Sequence, residues 1–191
     1  MGITACPDRW RQIIKVYLFR HAAVEKTYQG SYNGHIDIDA SQEGLREAKK
    51  NFKAIDSIPF DAVFCSTLKR ARQTLSVLDI RQNVFFKEEL KEKSWGRHEG
   101  KSYDEIVALE GKSYENFSQW LEVLDGEPFG LFRDRIKLFV DTLCSQEYEN
   151  ILIVTHAGVI NTMMHIVEGL SLESAFQSSV SYGSYYLLAI G

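Results

Sequence analysis

The sequence predicts an α/β fold, a three-layer α/β/α sandwich in which helices cover both faces of a mainly parallel sheet. Three apolar runs rich in β-branched and aromatic residues predict buried strands over residues 13–19, 60–65 and 151–155. A segment with helical periodicity follows each run, and strands that alternate with helices are typical of parallel sheets. Residues 182–190 predict one further strand, at an edge of the sheet.

Six helices are predicted from capping signals and apolar periodicity. Ser41, followed by apolar residues at helical spacing, predicts a capped helix that ends before Pro59. Similar patterns predict helices over residues 68–78, 103–110, 114–124, 132–143 and 159–170. Residues 125–130 predict a loop because they include two glycines and a proline. No repeat or flexible linker divides the sequence, so we expect a single domain over residues 1–191.

The composition indicates an ordinary globular protein with no bias toward polyanionic partners. Of the 191 residues, 45% are hydrophobic and 25% are charged, a balance typical of chains with a packed core. The formal net charge of -4 provides no basic field that would attract nucleic acid or an anionic membrane surface. We therefore expect neither partner, and an anionic ligand would need cations placed locally.

Cysteine usage and the N-terminal segment indicate a cytoplasmic protein. Cys6, Cys65 and Cys144 are odd in number and lack a metal-binding spacing, so we expect free thiols in a reducing compartment. Residues 1–11 contain no apolar core of a secretion signal, and nowhere do about 18 apolar residues run together. The sequence does not fix the oligomeric state, and a homodimer is compatible with it.

Four cationic or hydrogen-bonding side chains follow the ends of the predicted parallel strands. Arg20 and His21 follow the first strand, Arg70 opens the helix after the second, and His156 follows the third. Each residue alone is typical of surface or structural positions. Because the carboxyl ends of parallel strands share one edge of a sheet, these groups should converge on one crevice. Such a cluster has no structural reason to form unless it binds an anion.

These residues lie in motifs that resemble those of the histidine phosphatase superfamily, the phosphoglycerate-mutase-like proteins. The similarity keeps the motifs in family order, which makes it more specific than any one of them. The matching stretches are residues 18–22, 32–37, 66–74, 90–100, 126–136 and 154–160. The resemblance implies a phosphoglycerate-mutase-like fold, and within the family the chain is most similar to the α-ribazole phosphatase type.

The resemblance also implies the roles of five catalytic residues. His21 would attack phosphorus, and Glu92 would be the general acid. Arg20, Arg70 and His156 would hold the phosphoryl oxygens. A nucleophilic His21 must be neutral, whereas His156 would donate best when protonated, so we expect their pKa values to be split. No metal or other cofactor is implied.

Four further residues would contact the phosphate or the substrate: Thr27, Asn33, Gly34 and Ala157. Thr27 stands where the family often has Asn, and a hydroxyl donates one hydrogen bond where an amide offers two. Ala22 replaces the usual Gly after the nucleophile. Activity is expected despite both departures.

The remaining histidines, His35, His98 and His165, do not predict a metal site. Their spacing is not typical of ligands, so structural or surface roles are favoured. His98 lies six residues beyond Glu92 and is also a candidate for the border of the substrate mouth.

Three functions remain open from the sequence. The leading hypothesis is a metal-independent phosphomonoesterase that acts on a small molecule such as α-ribazole 5′-phosphate. A phosphoglycerate mutase is the second, but the chain has no room for the inserted segments of true mutases. A silent module that binds a phosphorylated ligand is the third, although binding alone needs neither His21 nor Glu92. Specificity should lie in residues 95–132, where one apolar stripe favours core packing over a binding platform. Its members are Tyr114, Phe117, Trp120 and Leu121.

Overall fold

The sheet contains five strands in the part of the chain that the structure describes. The computed structural model describes residues 13–111, 114, 116–178 and 180–191. Its strands are β1 (Ile14–Arg20), β2 (Ala62–Ser66), β3 (Val84–Lys87), β4 (Asn150–Thr155) and β5 (Tyr185–Ile190). Their order is β3-β2-β4-β1-β5, with β5 antiparallel to β1 and the other pairs parallel. The predicted α/β class and the edge strand near the C-terminus are confirmed.

Seven α-helices are described. They are α1 (Gln42–Phe52), α2 (Lys69–Val77), α3 (Tyr103–Glu110), α4 (Phe117–Val123), α5 (Phe129–Cys144), α6 (Ala157–Glu168) and α7 (Leu172–Gln177). The first six correspond to the predicted helices. Ser41 caps α1 as predicted, because its hydroxyl accepts a hydrogen bond from the Gly44 N–H. The predicted loop ends at Pro128, so α5 begins three residues earlier than expected.

The sequence did not predict β3 and α7. β3 lies at an edge of the sheet and its four residues are partly or fully exposed. It therefore lacks the continuous apolar run by which a buried parallel strand is recognised. α7 has only six residues, too few for a clear helical period, although Ser171 caps it by accepting a hydrogen bond from the Ser174 N–H.

Helices cover both faces of the sheet. On one face, α1 and α2 pack on β1, β2 and β4 through residues such as Phe52 and Leu75. On the other face, α5 and α6 pack on the same strands through residues such as Ile136 and Met163. Successive side chains of a strand point to opposite faces, so each central strand serves both cores. This packing holds the strand ends that carry the predicted site residues.

A third apolar cluster, which we call the outer cluster, lies beyond the sheet. Its buried members are Trp95, Ile106, Trp120, Leu121 and Leu124. They come from α3, α4 and the segments before and after them. A capping box starts α3, since the Ser102 hydroxyl accepts from the Glu105 N–H and the Glu105 carboxylate accepts from the Ser102 N–H.

The buried Cys65 is a free thiol, as predicted. Burial raises the pKa of this thiol to about 12, which keeps it protonated. Cys6 lies outside the described residues. No helix in the described ranges is long and apolar enough to span a membrane.

Candidate active site

A cavity of about 230 Å³ opens at the carboxyl ends of β1 and β4. Its inner part is lined by polar groups that include Arg20, His21, Glu92 and Asn161, together with the first residues of α6. Its outer part is lined mainly by aromatic side chains. The cavity therefore lies at the carboxyl edge of the sheet, where the sequence predicted a ligand-binding crevice.

His21 is held as a neutral imidazole whose Nε2 carries no proton. Its Nδ1–H donates to the Ala22 carbonyl at 2.7 Å, and its Nε2 accepts from the Arg70 Nε–H at 3.3 Å. Both contacts require the same tautomer, because a carbonyl only accepts and a guanidinium only donates. Burial, Arg70 and Arg20 hold the pKa of His21 well below its usual value. These are the properties required of a nitrogen nucleophile.

His156 lies beside His21, with 5.0 Å between the ring centroids. The Ser66 hydroxyl, at the end of β2, lies 2.8 Å from His156 Nε2 and also accepts from the Leu68 N–H. The buried Nδ1 of His156 has no hydrogen-bond partner within the described residues. An unpartnered ring nitrogen at this position leaves one hydrogen-bonding site available to a ligand.

The expected split of the two histidine pKa values is not found in the free site. The pKa of His156 is also held well below its usual value, first by burial and then by the positive charge of Arg70. The prediction concerned His156 as a donor to phosphoryl oxygens, and a bound anion stabilises an imidazolium. In the free site, no anion offsets the free-energy cost of charging a fully buried ring. Without ligand, both rings are therefore neutral near pH 7.

Arg70 is a buried cation whose donors are mostly occupied by the protein. Its guanidinium donates to the carbonyls of Asn33 and Gly34 at 2.7 Å and of Ile36 at 3.0 Å, besides the contact to His21. The residue is 1% exposed and lies in the first turn of α2, after the end of β2. Its positive charge lies beside His21, and the structure adds that it fixes the 33–36 loop.

Arg20 lines the cavity and is held by the segment before β5. Its Nη1 donates to the Val180 carbonyl at 2.7 Å, and its guanidinium lies 3.7 Å from the ring centroid of Tyr182. The Tyr182 ring also lies 5.4 Å from the His21 ring. Sequence reasoning missed Tyr182, which it assigned only to a predicted strand, because no local motif marks a stacking partner for a distant arginine.

Glu92 reaches the cavity from the segment that follows β3. One carboxylate oxygen accepts from its neighbour's N–H, that of Lys93, at 3.0 Å, and the other from the Gly158 N–H at 2.9 Å. A Cβ at position 158 would collide with this carboxylate. Gly158 therefore permits a close approach between the α6 N-terminus and the predicted acid.

The backbone of the acid-bearing segment is anchored by Arg135 and His35. Arg135 donates to the carbonyls of Glu89 at 2.6 Å and Glu92 at 3.1 Å, and its guanidinium forms a bidentate pair with Glu127. His35 Nε2–H donates to the Glu92 carbonyl at 2.8 Å. Such supporting contacts limit how far the Glu92 side chain can move from the cavity.

Asn33 and Gly34 differ in their relation to the cavity. Asn33 lines it, its amide nitrogen donates to the Tyr28 carbonyl, and its buried Oδ1 has no partner among the described residues. Gly34 is not part of the lining. A Cβ there would meet the Lys93 carbonyl and the Glu99 carboxylate, so this glycine allows tight packing and presents its carbonyl to Arg70.

Two predicted contacts at the site are corrected by the structure. Thr27 lies in an exposed 3₁₀ turn, Lys26–Tyr28, and lines a separate surface depression beside α1, so the expected phosphate contact is not supported. His98 does not border the mouth. It is fully buried, pairs with Glu110 through Nε2 at 2.9 Å and accepts from the Asp125 N–H. Its burial is explained by these hydrogen bonds to Glu110 and Asp125, which are distant from it in the sequence.

The outer part of the cavity is an aromatic wall that the sequence did not predict. Trp120 and Leu121, expected to be core, are buried in the outer cluster and also face the cavity with Phe117. The other apolar members of the lining are Val24, Tyr32, Trp95, Phe176 and Tyr182. The helical spacing of Phe117, Trp120 and Leu121 predicted apolar contacts. It could not distinguish contacts within a core from contacts in a cavity wall.

Metal-binding chemistry has no evident site in the described ranges. No group of three or more His, Cys, Asp or Glu side chains there is arranged so that it could hold a metal ion. His35 and His165 each contact a backbone carbonyl, Glu92 and Leu170 respectively, which is consistent with the structural roles expected for them.

The fold and these motifs define a histidine phosphatase. The model of the histidine phosphatase superfamily (branch 1) matches residues 16–191, so the chain belongs to this family. The match confirms the predicted family and enzyme class. The family match and the structure thus agree, because the motif residues His21, His156 and Glu92 lie near one another at the cavity.

Individual relatives are similar over most of the chain. The adenosylcobalamin/alpha-ribazole phosphatase of Escherichia coli K12 is 27% identical over 183 residues, which cover 93% of this chain and 90% of that protein. Phosphoserine phosphatase 1 of Hydrogenobacter thermophilus is 24% identical over 92% of this chain and 86% of that protein.

Solved structures share the fold. The alpha-ribazole phosphatase of Shigella flexneri has a TM-score of 0.80 at 26% identity, covering 93% of this chain and 94% of that one. A phosphoglycerate mutase of Bacillus anthracis has a TM-score of 0.76 at 17% identity, covering 94% and 93% of the two chains, and supports the fold alone.

Proposed function

We propose that the protein hydrolyses small phosphate monoesters through a phosphohistidine intermediate on His21. The single observation that carries the proposal is the double constraint on this ring. Nδ1–H is used by the Ala22 carbonyl, so Nε2 carries no proton and lies beside the cavity, where its one partner is the Arg70 Nε–H at 3.3 Å. An unprotonated imidazole nitrogen beside two arginines is suited to attack on an anionic phosphoryl group.

The first half of the reaction transfers the phosphoryl group to the protein. His21 Nε2 attacks phosphorus, the bond between phosphorus and the ester oxygen breaks, and the oxygen takes a proton from Glu92 as the alcohol leaves. The contacts from Lys93 and Gly158 hold the Glu92 side chain at the cavity. In-line placement of the nucleophile and the acid supplies much of the required acceleration.

The second half restores the free protein. Glu92, now ionised, removes a proton from a water molecule that attacks phosphorus, and the bond between phosphorus and Nε2 breaks. Inorganic phosphate leaves, and Glu92 is protonated again. Positive charge on Arg20 and Arg70 favours the phosphoryl group in both steps, and an incoming anion favours a protonated His156 that can donate from Nδ1.

The outer wall supports a substrate whose leaving group carries an apolar, planar ring system. We propose α-ribazole 5′-phosphate as the candidate, because it joins an aromatic base to a sugar phosphate and two relatives carry its dephosphorylated form in their names. Tryptophan and phenylalanine rings favour such a base over a small charged leaving group. The glycerate of a phosphoglycerate mutase would leave this wall without a partner.

The test is to trap the intermediate. The wild-type protein and a His165→Gln control, altered on α6 away from the cavity, should both acquire an acid-labile phosphoryl group from a ³²P-labelled substrate. His21→Ala should acquire none and should lose on the order of 10⁴-fold or more in phosphate release. Turnover by His21→Ala near the wild-type rate would refute the mechanism. A screen with α-ribazole 5′-phosphate, phosphoserine and phosphoglycerates then ranks the substrates.

A further inference from the structure

The side chain of Asn161 is one of the polar groups that line the cavity. The residue is 4% exposed and lines the cavity. Its Oδ1 has no hydrogen-bond partner within the described residues. A buried amide oxygen without a partner costs free energy, and a group of this kind in a cavity wall is available to a ligand.

The position of Asn161 on α6 determines which part of a ligand it can reach. His156 precedes the helix, and Ala157, Gly158 and Asn161 all face the cavity. Residues three and four apart lie one above the other on a helix, so Asn161 is about 5 Å farther along the axis than the first turn. In the proposed mechanism the phosphoryl group binds beside His21 and the first turn, which would leave Asn161 beside the leaving group.

The neighbours of Asn161 in the cavity make its amide unusual. The surrounding lining on the outer side is apolar or aromatic, with Trp95, Phe117 and Leu121 among its members. A few placed polar groups in an apolar pocket fix the orientation and the identity of a ligand. A side-chain amide can both donate and accept a hydrogen bond, and so can a hydroxyl group. An amide can therefore bind a hydroxyl with either its oxygen or its nitrogen facing the ligand.

We propose that Asn161 is a specificity-determining residue that binds a sugar hydroxyl of the leaving group. The inference rests on the proposed phosphatase function and adds the substrate feature that the site selects. A leaving group without a hydroxyl would leave the buried Oδ1 unpaired in the complex, and the site would discriminate against it.

The experiment compares two nucleotides that differ only in the sugar. Adenosine 5′-monophosphate carries the ribose hydroxyls, 2′,3′-dideoxyadenosine 5′-monophosphate lacks them, and para-nitrophenyl phosphate reports on the phosphoryl chemistry alone. The wild-type protein should have a kcat/KM at least tenfold higher for the first nucleotide than for the second. Asn161→Leu should reduce this ratio to near one, and kcat/KM should fall by a larger factor for adenosine 5′-monophosphate than for para-nitrophenyl phosphate.

A stability measurement separates this role from a structural one. Asn161→Leu removes a buried polar atom without a partner and should raise the Tm, whereas loss of a structural hydrogen bond would lower it. Thr162→Val is the matched control. Thr162 is the next residue of α6, its buried Oγ1 also has no partner among the described residues, and it is not part of the cavity lining. This control should leave the nucleotide ratio unchanged.

The outcomes are distinguishable from a failure of the proposed substrate. A wild-type protein that treats the two nucleotides alike, including one that cleaves neither, contradicts the role of Asn161. So does a fall in Tm of Asn161→Leu, or an equal loss for all three substrates. If the protein discriminates between the nucleotides but does not turn over α-ribazole 5′-phosphate, only the proposal of that substrate is rejected. The proposed role of Asn161 then stands.

Discussion

The inner and outer parts of the cavity are built in different ways. The inner part takes its proposed nucleophile and its cations from residues at or shortly after the ends of β1, β2 and β4. Hydrogen bonds to main-chain carbonyls fix His21 and Arg70, and the Ser66 hydroxyl contacts His156. The outer part takes single aromatic side chains from α4, α7 and several loops. The comparison teaches that the chemistry is held by the sheet, whereas the choice of leaving group depends on segments that pack mostly on one another.

After removal of His21 itself, the largest expected effect comes from a change in the inner part that alters no charged residue. In Gly158→Ala the new methyl group would lie 3.0 Å from Glu92 Cδ, so the carboxylate must move. We expect kcat/KM for an alkyl phosphate to fall about 100-fold, because displacement of a positioned group by about 1 Å costs that much. Para-nitrophenyl phosphate should be less affected, since its leaving group needs no acid. The readout is phosphate release from both substrates.

Gly130→Ala is the control for that variant. Gly130 lies in α5, and no atom outside its own helix lies within 4 Å of a Cβ built there. It should retain wild-type activity and gain slight helix stability. Equal losses for both substrates in Gly158→Ala would indicate a general disturbance of α6 and would contradict displacement of Glu92.

An intermediate effect is expected in the outer part. Phe117 is partly buried, lines the cavity and packs on Phe176 with 4.9 Å between ring centroids. Phe117→Ala should raise KM for an aromatic ribose phosphate about tenfold through lost apolar contact, with little change in kcat. Phe85→Ala, on the exposed edge strand, is the control and should leave KM unchanged. A fall in kcat with constant KM would show that Phe117 affects the chemical step. It would contradict the assignment of binding to the outer part and chemistry to the inner part.

The smallest expected effect is on stability as a function of pH. Burial lowers the pKa values of His21 and His156 in the folded protein, so the unfolded chain binds more protons below about pH 6.5. The free energy of unfolding should therefore decrease as the pH falls, by about 0.7 kcal/mol per histidine between pH 7 and pH 6. Urea unfolding at both pH values measures it, and His21→Gln should lose part of the slope. A slope unaltered in His21→Gln would show that other groups control it.

The sequence predicted the sheet and the inner part of the cavity because both depend on local signals. Buried strands show as apolar runs, and their ends locate His21, Arg70 and His156. Edge strand β3 and the short helix α7 lacked such signals. The resemblance to the family supplied Glu92, which as an isolated carboxylate between two lysines would not have been chosen.

The outer part could not be predicted because its contacts join distant residues. Tyr182 meets Arg20 across most of the chain, and the Tyr32 hydroxyl accepts from Trp120 Nε1 at 2.6 Å. For a related reason, the sequence did not reveal that Thr27 lies away from the cavity or that His156 is neutral in the free site. Exposure of one residue and complete burial of the other follow from tertiary packing, which a motif does not report.

The hydrogen bond from His21 to the Ala22 carbonyl explains how the chain tolerates a missing glycine in its first motif. The acceptor is main chain, and every amino acid possesses it. The Ala22 N–H meanwhile donates to the Thr74 hydroxyl, and the methyl group packs in the core beside α2. The orientation of His21 thus does not depend on a glycine at the following position, and an alanine there is poor grounds for dismissing a homologue as inactive.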